Sequence, residues 1–197
     1  MRLLAGLVSL SLVVVACSGQ EVSMEGFREL KEELAQAESE LVDVTAERDA
    51  LLAQQELDSA RVAKSQITAD AIGQIVSDPA SFGTEEQVVE LLSHYITPDA
   101  ITHDLAYGKV GTIQGWRNTL FAGDIDAVTF EWHNWMSDDG SQGGSLWTWQ
   151  GANFVGEPFE LIGVALTTYN DDGLETSETV IWPYPDEYVY EQFGVGP

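Results

Sequence analysis

The titratable and aromatic side chains that could support chemistry lie in the C-terminal two thirds of the chain. His103 and Asp104 sit between Ile101 and Leu105 in a segment that reads as extended. Neighbours on a strand point to opposite faces, so these two cannot form a dyad with each other, and at most one faces inward. His103 is in phase with the apolar Ile101 and Leu105, which assigns it the inward side. There an imidazole can shuttle a proton or anchor a ligand, or serve as a hydrogen-bonded structural histidine at a helix–strand junction. Asp104 reads equally well as a turn or cap residue. Tyr107 can add a hydroxyl donor to a cavity or pack at a helix–sheet boundary. Among the six tryptophans, Trp116, Trp147 and Trp149 are the candidates for lining an aromatic pocket, although a tryptophan on an alternating strand also builds cores and sheet-face dimer contacts. His133, in phase with Glu131 and Trp135, falls on the outer face of its strand.

Composition narrows the chemistry further. The 197 residues carry 8 Lys+Arg against 33 Asp+Glu, a formal charge of −25. Such an excess repels phosphate backbones, and no basic cluster offsets it, so nucleic acid is excluded as a partner. Apolar residues make up 44%, enough for a packed core. No G-x-S-x-G, P-loop, G-x-G-x-x-G or H-E-x-x-H pattern occurs. The three histidines lack helical i,i+4 pairing and the acidic runs Asp138-Asp139 and Asp171-Asp172 lack calcium-loop spacing, so no metal site is expected. Those runs read as turns. No cofactor is expected either.

The N-terminus carries a different kind of chemistry. Met1-Arg2 is followed by an apolar stretch over residues 3–16, too short to span a bilayer and of the length of a signal-peptide hydrophobic region. It ends Val14-Val15-Ala16-Cys17, then Ser18-Gly19-Gln20, and Cys17 is the one cysteine of the chain, so no intrachain disulfide can form. The pattern resembles the lipobox of bacterial lipoproteins. That resemblance implies cleavage after residue 16, a Cys17 that becomes a diacylated N-terminus bearing chains such as palmitate, and anchoring to membrane lipid. A plain secretory signal with a chance cysteine is the alternative. Ser18 resembles lipoproteins sorted to the outer membrane, which in a cell that has one implies a periplasm-facing placement. Two or three acyl chains at about 0.8 kcal/mol per buried methylene hold a protein there permanently.

From residue 21 to about 64 there is no proline and one glycine, in a sequence rich in Ala, Glu, Leu and Gln. Phe27, Leu30, Leu34, Ala37, Leu41, Val44 and Leu51 step by three and four, a heptad stripe broken at Arg48. The segment is predicted as a helical stalk, residues 17–65, of roughly 60 Å at 1.5 Å per residue. It is either a coiled coil that makes a homo-oligomer or a single solvated spacer, because its glutamates outnumber its lysines and repel one another.

Beyond the stalk, residues 66–197 form the globular domain; every aromatic except Phe27 lies after residue 70. Thr84 with Gln87 makes a capping box, Glu85 and Glu86 suit the first turn, and Val88, Leu91, Leu92 and Tyr95 form one apolar helix face that Pro98 closes. A shorter helix covers residues 113–121. After Asp126 the period turns to two, with turns at Asp138-Asp139-Gly140, Gly143-Gly144 and Asn170-Asp171-Asp172-Gly173. Strands are predicted over 128–136, 145–152, 159–169 and 174–182. Helices followed by a meander make an α+β fold, helices packed on one face of a curved antiparallel sheet and preceded by the long N-terminal helix.

The order of motifs over residues 84–194 resembles the SnoaL-like branch of the NTF2-like superfamily. The likeness runs from the first helix through Ile101-Thr102-His103-Asp104-Leu105-Ala106-Tyr107-Gly108 and Gly115-Trp116. It continues in Leu146-Trp147-Thr148-Trp149-Gln150-Gly151, Ile162-Gly163-Val164, Asp171-Asp172-Gly173, Tyr184-Pro185-Asp186 and Gln192-Phe193-Gly194. The resemblance implies a cone-shaped fold with an apolar cavity between helices and sheet, in which one histidine or carboxylate is the general base. Some family cyclases carry an aspartate on the last strand. Here that stretch reads Ser177-Glu178-Thr179-Val180-Ile181-Trp182-Pro183-Tyr184, without an aspartate, and Glu178 is the carboxylate left; Asp186 falls beyond two prolines.

The expected function is a lipid-anchored envelope protein whose pocket domain binds a small, largely apolar molecule without catalysis. The alternatives are a cofactor-free isomerase, cyclase or hydrolase working through His103 and Glu178, and a structural assembly protein that oligomerises through its stalk or sheet face.

Overall fold

A computed structural model of the chain describes residues 23–105, 108–121, 126–152 and 157–193; Cys17 and Tyr107 lie outside the described residues. The chain divides into two compact units, Met1–Ala53 and Gln54–Pro197.

The described part of the first unit is helical throughout. It belongs to α1 (Met24–Ser77), whose Ala, Glu, Leu and Gln content favours helix, and Ser23 Oγ accepts from the Gly26 N–H at its start. The heptad residues Phe27, Leu30, Leu34, Leu41, Val44 and Leu51 are exposed in the single chain.

In the second unit α1 continues to Ser77 and stops where Pro79 forbids further helix. A 3-10 turn, Pro79–Phe82, leads to Gly83 and to α2 (Glu85–Leu92). The capping box forms as expected: the Thr84 N–H donates to Gln87 Oε1 at 2.9 Å and Thr84 Oγ1 accepts from the Gln87 N–H at 3.5 Å. The helix is shorter than its apolar periodicity suggests. It ends at Leu92, and Pro98 lies inside strand β1 (Ile96–Asp104), where the pairing with the neighbouring strand is interrupted between Ile96 and Ile101. Such an interruption tolerates a residue without an N–H. After β2 (Gly108–Gly111) comes α3 (Thr112–Phe121), then β3 (Asp126–Met136), β4 (Gln142–Ala152), β5 (Pro158–Tyr169), β6 (Glu175–Ile181) and α4 (Asp186–Phe193). The last helix has no counterpart in the sequence expectation.

The six strands make one curved, unclosed sheet in the order β2-β1-β6-β5-β4-β3. Four junctions are antiparallel, and the fifth, β1 with β6, is parallel. A meander therefore cannot account for the whole sheet; its last strand slots beside its first. The turn at residues 170–173 forms as expected: Asn170 Oδ1 accepts from the N–H groups of Asp172 and Leu174 at 3.0 Å each, and Gly173 supplies the positive φ of 76°. One core cluster joins Ile72, Ile75 and Val76 of α1 to Val88, Leu92, Ile96, Ala100 and Trp116, and a second gathers Trp147, Trp149, Phe159, Leu161 and Val189. Arg61 fastens α1 to two of the turns, donating to the Asp139 carbonyl at 2.6 Å and to Asp171 Oδ1 at 2.8 Å. Beside it the buried Ser65 hydroxyl donates to the Gly140 carbonyl at 2.9 Å.

Trp147 is seated by a missing side chain. Its strand partner is Gly163, and a β-carbon there would overlap the Trp147 indole. Gly163→Ala is expected to cost about 1–3 kcal/mol through overpacking. Urea unfolding followed by tryptophan fluorescence checks this; an unchanged midpoint would show that the indole moves aside freely.

Candidate functional site

The sheet places Glu178 by an irregularity, not by simple alternation. Between β5 and β6, Thr168 pairs with Ser177 but Tyr169 pairs with Glu175, which leaves Thr176 as an extra residue in β6. The Thr168 hydroxyl lies 2.8 Å from that of Thr176 and 2.7 Å from that of Ser177, so the bulge is held by its own hydroxyls. A bulge resets the phase of a strand and re-aims the side chains beyond it. As a result Glu175 and Glu178, three apart, both point into the core, where they are 3% and 5% exposed.

Glu178 lies across the parallel junction from Thr102 of β1. The Thr102 hydroxyl stands 3.1 Å from Glu178 Oε2 and 3.1 Å from the buried Thr112 hydroxyl at the start of α3. Its single proton serves one of them at a time. An ionised Glu178 receives the Thr102 proton; a neutral Glu178 donates to Thr102, which then donates to Thr112. The three groups form a short hydrogen-bonded relay whose direction follows the charge on Glu178.

A small cavity of about 40 Å³, partly open, lies beside Glu178. Trp116 from α3, Trp147 and Trp149 from β4, and Trp182 just past β6 line it together with Val180, Thr119 and Asp104. The Trp147 and Trp182 rings meet edge to face, 4.9 Å apart at 86°. On the far side of Glu178 and Trp116 is a second chamber, about 10 Å³, walled by Asn134, Ser145, Thr167, Tyr169 and Glu175. That is the size of one water site. Glu175 Oε1, Ser145 Oγ and Asn134 Oδ1 are buried there without hydrogen-bond partners among the described residues.

Burial pushes the Glu178 carboxyl up to about 7, with Thr102 pulling it part of the way back and the Asp104 charge adding to the rise. Burial raises Glu175 as well, and the neighbouring Glu178 charge raises it further. Tyr169 is likewise held well above the usual phenol range by burial, then by Glu175.

His103 is not where its phase suggested. It is exposed, on the outer face of β1, opposite Lys109 of β2. Ala100 and Thr102 take the inward positions, Ala100 in the apolar core and Thr102 against the cavity, while Ile101 and Leu105 are only half-buried. The structure therefore separates His103 from Glu178's surroundings and brings Asp104 to the cavity instead. His133 is on the outer face, as its phase indicated. Asp186 opens α4, exposed. Thr102 and Glu175 were missed by the sequence reading; a signal for the second existed only in the Thr-Ser pair that bulges β6. Among the described residues no group of three or more His, Cys, Asp or Glu side chains is placed to hold a metal ion.

No family model and no curated protein matches the chain. Solved structures do. A proposed polyketide cyclase from Pseudomonas putida superposes with a TM-score of 0.51 at 12% identity, covering 66% of this chain and 98% of its own. A proposed isomerase from Bacillus subtilis gives 0.51 at 12% identity, covering 69% and 96%. An NTF2-like protein of unknown function from Burkholderia pseudomallei gives 0.50 at 10% identity, covering 66% and 97%. The globular part of the chain shares the fold of these NTF2-like structures, an α+β arrangement of helices on a curved sheet, behind a long N-terminal helix.

Because the folded value of Glu178 lies above its ordinary 4.5, its contribution to stability is complete below about pH 4.5 and is lost as pH rises to about 7. Glu175 acts in the same direction. The unfolding free energy of the wild type is expected to fall across that window relative to Glu178→Gln, by on the order of a few kcal/mol, and its thermal midpoint falls with it. Calorimetry of the two proteins at several pH values checks this; parallel curves would mean that Glu178 ionises at its ordinary value in the folded protein.

Proposed function

We propose that this chain is a lipid-anchored envelope protein whose NTF2-like domain binds a small molecule in the tryptophan cavity, with Glu178 as the group that grips it. One observation carries the reading: a carboxyl 5% exposed stands beside a cavity lined by four indoles. A fold selected only for stability gains nothing from a carboxyl in that position, since burying it without a charged partner is unfavourable. Aromatic walls with a few convergent polar groups are the usual make-up of a ligand site.

The cavity limits what enters. At about 10–15 Å³ for each water-sized position, a volume of about 40 Å³ admits a compact group of a few heavy atoms. The apolar molecule expected from the sequence is thus small, or only its end enters.

A second reading, proton-transfer catalysis, is favoured by the acidity of Glu178. A carboxyl near 7 can both take and return a proton at neutral pH, and Thr102 with Thr112 gives it a hydrogen-bonded relay. In that reading Glu178 removes a proton from a C–H or O–H of the bound molecule and delivers it elsewhere on the same molecule. That cyclases and isomerases are proposed among its structural neighbours suits this reading without deciding it.

Attachment rests on Cys17 in its lipobox-like setting, and the exposed heptad stripe suits self-association of the stalk.

Native mass spectrometry of the whole chain purified from cell extract should show a retained small molecule. Thr119→Trp, which fills the cavity, should lose it. Retention by the filled variant would place the ligand elsewhere. Deuterium from heavy water appearing in that molecule with the wild type but not with Glu178→Gln would select the catalytic reading. In cells fed labelled palmitate, the mature protein should carry label that Cys17→Ala removes; an unlabelled wild type would end the anchoring proposal.

A further inference from the structure

The signs of the charges around the cavity say more than its size. Among the described residues its lining contains two acidic side chains, Glu178 and Asp104, and no lysine, arginine or histidine. Behind Glu178 a third, Glu175, is 3% exposed and turns an unpartnered Oε1 into the inner chamber. The remaining walls are aromatic. Trp147 and Trp182, set at 86°, form a corner, and Trp116 and Trp149 complete the lining. An indole face is the most negative of the aromatic faces and attracts cations at ring distances of about 6 Å. An anionic ligand would meet two carboxyls and, among the described residues, no cationic side chain of the lining. A neutral apolar ligand would leave Glu178 without an answering charge.

We infer that the cavity recognises a small organic cation, an alkylated ammonium group seated against the tryptophan corner with its charge toward Glu178. This rests on the cavity reading proposed above and adds the ligand's chemical class. A trimethylammonium group has four heavy atoms, the upper limit of what about 40 Å³ accommodates by the measure of about 10–15 Å³ per water site. Its methyl groups pack on the indoles, and its charge offsets the burial that disfavours an ionised Glu178. The Thr102 hydroxyl stays on Oε2 and keeps that carboxylate oriented.

The groups that face Glu178 make the binding depend on pH in one direction. They are Asp104 from β1, Glu175 from its own strand and Tyr169 from β5; α3 contributes only the uncharged Thr112 and Trp116, and on α1 Asp70 is engaged by the Asn134 amide at 3.2 Å. A cation binds the ionised form, so its affinity rises as Glu178 loses its proton. With the free carboxyl at about 7, the rise between pH 6 and pH 8 is about tenfold.

Choline and its neutral carbon isostere, 3,3-dimethylbutan-1-ol, separate shape from charge. Titrated calorimetrically into the whole chain at pH 8, choline is expected to bind at least tenfold more tightly than the isostere, and about tenfold more tightly than at pH 6. Glu178→Gln should abolish the preference for choline. Equal binding of the two, or choline binding that is flat with pH in the wild type, overturns the cation. Should the isostere bind and Thr119→Trp block it, the cation falls while the cavity reading stands. Should neither bind, the cation falls alone, because retention of a molecule from cell extract tests the cavity independently.

Discussion

A carboxyl taken out of water must either stay neutral or find a charge to meet, and Glu178 is where this chain accepts that constraint. Burial favours its neutral form, and Thr102 favours its charged one. The surroundings follow from satisfying both. The parallel junction of β1 and β6 brings Thr102 opposite Glu178, the start of α3 supplies Thr112, and the bulge in β6 turns Glu178 inward. A purely antiparallel meander would have left β6 at the sheet edge and the carboxyl without that hydroxyl.

The same carboxyl explains why the interior is less uniformly apolar than a core of this size needs to be. Ser145, Thr167, Glu175 and Thr102 are all buried among the tryptophans. Polar groups in a low-dielectric interior specify one arrangement where a greasy interior tolerates many. The cost is a set of acceptors left unmatched around the inner chamber, of the size that a single water satisfies. The placement of both buried carboxyls is set by one strand and one bulge.

Much of the fold could be read in advance because it rests on local signals. The capping box at Thr84, the Asn170–Gly173 turn and the alternation through Trp147 and Trp149 each have a mechanism confined to a few residues. The long-range features escaped. Nothing local tells β6 to lie parallel to β1. The outward face of β1 carries Ile101, so apolar phase pointed at His103 when the cavity required Thr102. Glu178 came from its place on the last strand; its companion Glu175 did not, because simple alternation sends residues three apart to opposite faces and only the bulge sends them to the same one.

The indole of Trp147 occupies the space that any side chain at position 163 would need. Two sites on neighbouring strands, Trp147 and Gly163, therefore act as one unit of inheritance. A descendant that gains a methyl group at the glycine must first surrender the indole, and with it one wall of the cavity. Lineages that keep the tryptophan are bound to keep the glycine, whatever else on the sheet drifts.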